Sequence, residues 1–242
     1  MKKTKILVFF LISLLAFSMA AFASADTKNM NPSDLEKVVF IHYKKGFEKN
    51  FAKHDFNAKP SAEAKCYKLM GVKWPSSSLP VSYKIDPSGS DLLTSDVTKA
   101  ISISADTWDA ATNGETFDDV YETGNVEFGV ADEVNAIAFV PYSNSGVIAV
   151  TYVWYTRGTK QIVEFDMLFN TGSNWEWGDA VSNPALMDLQ NIATHELGHT
   201  VGLSDLYNRC LEETMYGYSS EGETSKRSLN PGDIAGLKAI FG

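Results

Sequence analysis

The segment Ala193–Tyr207, "ATHELGHTVGLSDLY", constrains the fold more than any other part of this 242-residue chain. At 100° per residue, Leu186, Leu189, Ala193, Leu197 and Val201 share one stripe of a helix, opposite His195 and His199. Such a helix packs on one face and reserves the other for two imidazoles. Asn183 is placed to cap it, and Pro184 fits a first turn, where a missing N–H does no harm. Gly202 can take the positive φ that stops the helix, and the returning chain presents Asp205 three residues later.

Histidines four apart on a helix project side by side, so His195 and His199 can reach one metal ion at about 2.0–2.1 Å. Glu196 lies on the next ridge, placed to take a proton from a metal-activated water rather than to ligate. Two histidines do not complete a catalytic zinc site; a third ligand is needed. The chain has 4 histidines, and His42 and His54 fall in an N-terminal extension. Asp205 is therefore the candidate third ligand, against the blander reading of a solvated turn residue. A thermolysin-like arrangement would use Glu212 or Glu213 instead.

The N-terminus bears Lys2, Lys3 and Lys5, an apolar run from Ile6 to Phe17, and small residues at Ala21, Ala23 and Ala25. Residues 1–25 thus read as a secretory signal peptide, cut after Ala23 or Ala25. The apolar run is shorter than the ~20 residues of a membrane span, so the expectation is a secreted, extracellular protein without stable membrane insertion. Residues 26–65 are lysine-rich and read as a pro-segment or flexible extension, with an amphipathic helix near Asp34–Tyr43. Residues 66–242 read as the functional domain, expected to act as a monomer. With 30 acidic against 21 basic residues the chain is net −9, which argues against a nucleic-acid partner. Cys66 and Cys210 are the only cysteines, and in an oxidising compartment they read as one disulfide. The rival is Cys66 capping the metal of a precursor.

Elsewhere, "LPVSYKI" alternates like a strand, and a helix is expected from Thr94 or Ser95 to about Thr112, closed by Asn113-Gly114. Strands are expected over Val126–Val130, Ala136–Val140, Val147–Tyr155 and Ile162–Phe169, the last two joined by the short loop "TRGTK". Strand, helix, strands and then helices imply a layered α/β or α+β domain. Asp118, Asp119, Asp132 and Glu133 read as solvated surface, so calcium is conceivable but unsupported.

His195, Glu196, His199, Gly202 and Asp205 together form H-E-x-x-H-x-x-G-x-x-D, which resembles the metzincin zinc signature with aspartate as third ligand, as in snapalysin-type members. "ETMYGYS" looks like the Met-turn, with Met215 as its methionine, and "KRSLNPGDIAGLKAIFG" is similar to the C-terminal helix of matrixins. The resemblance implies a zincin-like α/β (α+β) fold: a mixed, mostly parallel twisted sheet with an antiparallel edge strand, an active-site helix and a C-terminal helix. It implies one catalytic Zn²⁺ on His195, His199 and Asp205, Glu196 as general base, and protein or peptide substrates. It also implies that "GVIAVTYVWY" borders the cleft as an edge strand, with Tyr216, Gly217 and Tyr218 in the opposite wall. No "PRCGxPD" segment is present, so a cysteine-based latency is not supported, and too few histidines remain for a second, structural zinc. The competing reading outside enzymes is a secreted binding module on the same fold, lacking catalysis.

Overall fold

The computed structural model describes residues 34–47, 65–112, 114–172, 175–207 and 210–242. The expected signal peptide, residues 1–25, lies outside them, as does His54.

Strands β1 (Leu35–Lys44), β2 (Lys84–Asp86), β3 (Glu122–Thr123), β4 (Ala136–Val140), β5 (Val147–Thr156), β6 (Ile162–Asn170), β7 (Trp177–Gly178), β8 (Met187–Asp188) and β9 (Tyr218–Ser219) accompany helices α1 (Thr94–Asp109), α2 (Leu189–Thr200) and α3 (Pro231–Phe241). The main sheet runs in the order β3-β2-β4-β6-β5-β1-β9. Its β3, β2, β4 and β6 are mutually parallel, β5 is antiparallel to β6, β1 is antiparallel to β5, and β9 is parallel to β1. This is the mixed α/β architecture expected, with one difference in its edge. The antiparallel strand β5 is not exposed, because β1 lies along it.

Strand β5 forms because its β-branched and aromatic run, "VIAVTYVWYT", suits a pleated surface buried on both faces. The side chains of β4, β5 and β6 are then divided between two apolar clusters. Ile137, Phe139, Phe165, Met167 and Phe169 join the main core with Ile101, Trp108, Ile192 and Leu197 from the two helices. Val147, Val150 and Leu168 make a smaller cluster. Each such side chain contributes about 1.5–3 kcal/mol by leaving water. Two polar contacts fix α1 against α2: Trp108 Nε1 donates to Thr194 O at 2.8 Å, and Ser104 Oγ to Gln190 O at 3.1 Å.

Four expectations need correction or completion. The segment Asp34–Tyr43 forms no amphipathic helix; from Leu35 it is strand β1, whose backbone partners on β5 lie more than 100 residues away. Val126–Val130 is not a strand. The N–H groups of this region are taken by carboxylates: Gly129 donates to Asp166 Oδ2, and Asp132 and Glu133 donate to Glu164. Val126 N–H likewise goes to Asp86 Oδ2, so side-chain carboxylates take donors that a ladder would need. The site helix starts later than Asn183-Pro184 suggests, since Asp188 is the cap and accepts from Asn191 N at 2.8 Å. Finally, Cys66 and Cys210 are disulfide-bonded across 144 residues, which removes the reading of Cys66 as a metal cap. Among the described residues no helix is long and apolar enough to cross a membrane.

Candidate metal centre

Helix α2 carries His195, Glu196 and His199, and it is buried on every side rather than on one stripe. Its depth depends on Gly198. A Cβ there would lie 2.2 Å from Met215 Sδ and 2.6 Å from Trp108 Cζ2. Met215 thus packs beneath the helix, 1% exposed, as a core residue in a defined place. Gly202 ends the helix region at φ +109°, and a side chain there would meet Val72 O at 2.7 Å. The turn sends the chain back under the histidines and delivers Asp205.

Backbone carbonyls settle the tautomer of both imidazoles. His195 Nδ1–H donates to Thr214 O at 2.7 Å, and His199 Nδ1–H donates to Leu203 O at 2.9 Å. In the neutral ring each Nε2 then presents a lone pair, the form a metal needs. Asp205 Oδ1 lies 3.1 Å from His195 Nε2 and 3.5 Å from His199 Nε2. Its Oδ2 accepts from Tyr207 Oη at 2.8 Å, which fixes the carboxylate's orientation. His195 Nε2 and Asp205 Oδ1 are buried and make no hydrogen bond. Buried polar atoms without partners are rare and costly. A cation between them satisfies both, and among the described residues His195, His199 and Asp205 form one of two clusters able to hold a metal.

The electrostatics agree with that donor set. Burial drives the His195 imidazole down to about 4, so it is neutral at ordinary pH. Burial alone would raise Asp205, but His199 and His195 outweigh it and hold its carboxyl well below the usual range. A buried carboxylate that stays ionised calls for positive charge at this spot. Glu196 has the opposite character: burial, against His199 and the Thr151 hydroxyl, pushes its carboxyl up to about 7. A carboxyl poised near neutrality can both take and return a proton.

Glu212 is exposed, and Glu213 Oε2 instead accepts from Asp233 N at 3.1 Å, so neither stands with the histidines. This leaves the thermolysin-like arrangement without a third ligand. Tyr216, Gly217 and Tyr218 run beside the site into β9, and Gly217 is pressed against Tyr207 and Asp205.

Several residues here escape sequence reasoning. His42 belongs to the second metal-capable cluster, with His195 and Glu196. Its Nδ1 bonds Glu196 Oε1 at 2.9 Å, while Thr151 Oγ1 donates to Glu196 Oε2 at 2.5 Å. Phe40 stacks flat on His199, centroids 3.8 Å apart. Lys226, 1% exposed, donates to Tyr216 O, Tyr218 O and Ser219 Oγ, which ties the wall segment together. Burial lowers its ammonium to about 8. Tyr207, adjacent to the motif, offered a signal in its proximity; Lys226 and Thr151 offered none.

A family model described as Matrixin, a peptidase family, matches residues 73–242. No curated protein matches the chain significantly.

Proposed function

Because the chain belongs to the matrixin family of peptidases, we propose that it is a secreted zinc endopeptidase cleaving extended peptides. One observation carries the reading. His195 Nε2 and Asp205 Oδ1 converge as buried, partnerless donor atoms beside His199, with a carboxyl poised near neutral pH next to them.

His195, His199 and Asp205 would hold the ion, with Tyr207 orienting the aspartate. Zinc bound there supplies Lewis-acid polarisation of a carbonyl and acidifies a water. Glu196 receives the proton of the attacking water and returns it to the leaving amine, which departs neutral. Thr151 holds one carboxylate oxygen of Glu196 and leaves the other for this exchange. The Thr214 and Leu203 carbonyls hold the imidazoles in register throughout.

The test is a pair of variants measured for zinc content and casein hydrolysis on activated protein. Glu196→Ala should keep stoichiometric zinc and lose activity by about 10²–10⁴-fold, the span of general acid–base catalysis. Asp205→Ala should lose zinc and activity together, and Asp205→His should recover part of both. Zinc binding without turnover in the wild type under every activation condition would point to the non-catalytic binding module.

A further inference from the structure

Strand β1 lies where a peptide substrate of this site would lie. It is antiparallel to β5 from Leu35↔Thr156 to Tyr43↔Val147, and parallel to β9 at Tyr43↔Tyr218 and Lys44↔Ser219. Without β1, β5 would be the open edge of the sheet and β9 would face it across a groove. An edge strand with unpaired N–H and C=O groups is a template for an extended peptide. The chain satisfies that template with its own segment.

The side chains of β1 are placed to disable the site. Phe40 and His42 are two apart, so they point to the same face, and that face is the one holding the metal-ligand histidines. Phe40 covers His199, and the His42 ring lies 4.0 Å from that of His195. His42 Nδ1 occupies Glu196 Oε1, the one oxygen Thr151 leaves to proton transfer. Ser219 and Lys226 hold the far side of the His42 ring at Nε2, at 3.1 and 3.4 Å. Both of these partners belong to the wall segment or its tether. The histidine thus bridges the base to the opposite side of the groove.

Away from these two residues, Val38 packs on the main core and Ile41 and Tyr43 on the smaller cluster, each only partly buried, and the remaining side-chain contacts of β1 are polar. Glu36 accepts from Arg157 and Tyr155, Lys44 pairs with Glu221 at 2.5 Å, and Lys45 pairs with Glu223 at 2.6 Å. Surface ion pairs of this kind contribute about 0–1 kcal/mol each. The attachment is specific in register, and most of its side chains remain partly exposed.

We propose that residues Leu35–Lys44 are an intramolecular, substrate-like inhibitor: they fill the peptide groove between β5 and β9, and His42 blocks the base Glu196, which holds the full-length chain latent. This rests on the reading of the site as a peptidase.

The experiment compares zinc content and cleavage of casein and a short reporter peptide by three forms: the full-length chain, its Phe40→Ala/His42→Ala variant, and a chain lacking residues 34–47. An occluded site suppresses rate by the fraction of time it is open, so the full-length chain should be slower than either variant by about 10-fold or more. Synthetic peptide 34–47 added to the shortened chain should inhibit competitively, raising KM and leaving kcat, and the same peptide with alanine for His42 should inhibit more weakly. If the shortened chain does not fold, the double variant decides the matter by its rate alone. Equal rates for the full-length chain and the double variant overturn the inference and leave the peptidase reading intact. Zinc bound and no cleavage by any form overturns the peptidase reading itself, and the inference with it.

Discussion

Strands β1 and β4 belong to one sheet, yet they are held in it by different means. In β4, Ala136, Ile137, Ala138 and Phe139 are all buried, and the strand is paired on both sides, to β2 and β6. In β1 only Phe40 and His42 are buried, and Val39 is 44% exposed. Strand β4 is buried along its length, whereas β1 is attached by a backbone ladder, the buried Phe40 and His42 aimed at the site, and the partly buried Val38, Ile41 and Tyr43. Two strands of one sheet can thus differ widely in how much of their surface the core covers. The disulfide draws the same boundary, because Cys66 closes onto Cys210 and clamps the chain between them, while β1 lies before the clamp.

Three measurements would break or sharpen that contrast. Reduction of the Cys66–Cys210 bond should have the largest effect, since closing 144 residues is worth about 4–5 kcal/mol in the chain-entropy model. Thermal melts with and without reductant check it, and an unchanged Tm would mean the clamp does not define the stable body. Next, Ile137→Ala in β4 should cost about 2–5 kcal/mol by the cavity it leaves, whereas Val39→Ala in β1 should stay within about 0.5 kcal/mol. Urea unfolding of the two variants side by side decides this; equal losses would make β1 as much a core strand as β4. The smallest effect belongs to the site. Tyr207→Phe frees Asp205 Oδ2 and should weaken zinc binding about 10–100-fold, with little change in melting of the metal-free protein. Competition against a zinc chelator gives the value.

The centre of the site was legible in the sequence because its geometry is local. A spacing of four on a helix and a glycine three residues on determine where His195, His199 and Asp205 point, whatever surrounds them. The strands β4, β5 and β6 were legible for a similar reason, their β-branched runs being long and uninterrupted. The errors fell where a distant partner decides. "LEKVVFIHYK" has apolar residues at spacings that a helix tolerates, and only β5, far along the chain, makes it extended. Asn183-Pro184 imitates a helix start, but the side chain that does cap α2 is Asp188, itself gripped by Arg227 from beyond the site. Val126–Val130 alternates like a strand, yet Asp166 and Glu164 claim the nearby N–H groups first. His42 was set aside with the extension for the same reason: its significance lies in a contact with Glu196, 154 residues away.

Gly198 sits between the two histidines with no room for a methyl group, pressed on Met215 and Trp108. Its consequence is mechanical. The imidazoles ride on α2, so the height of the helix above its bed sets the separation between their lone pairs and the Asp205 oxygen. A volume of one carbon at the underside becomes a displacement at the top, and a residue that touches no ion governs the coordination geometry as a shim governs the alignment of a bearing.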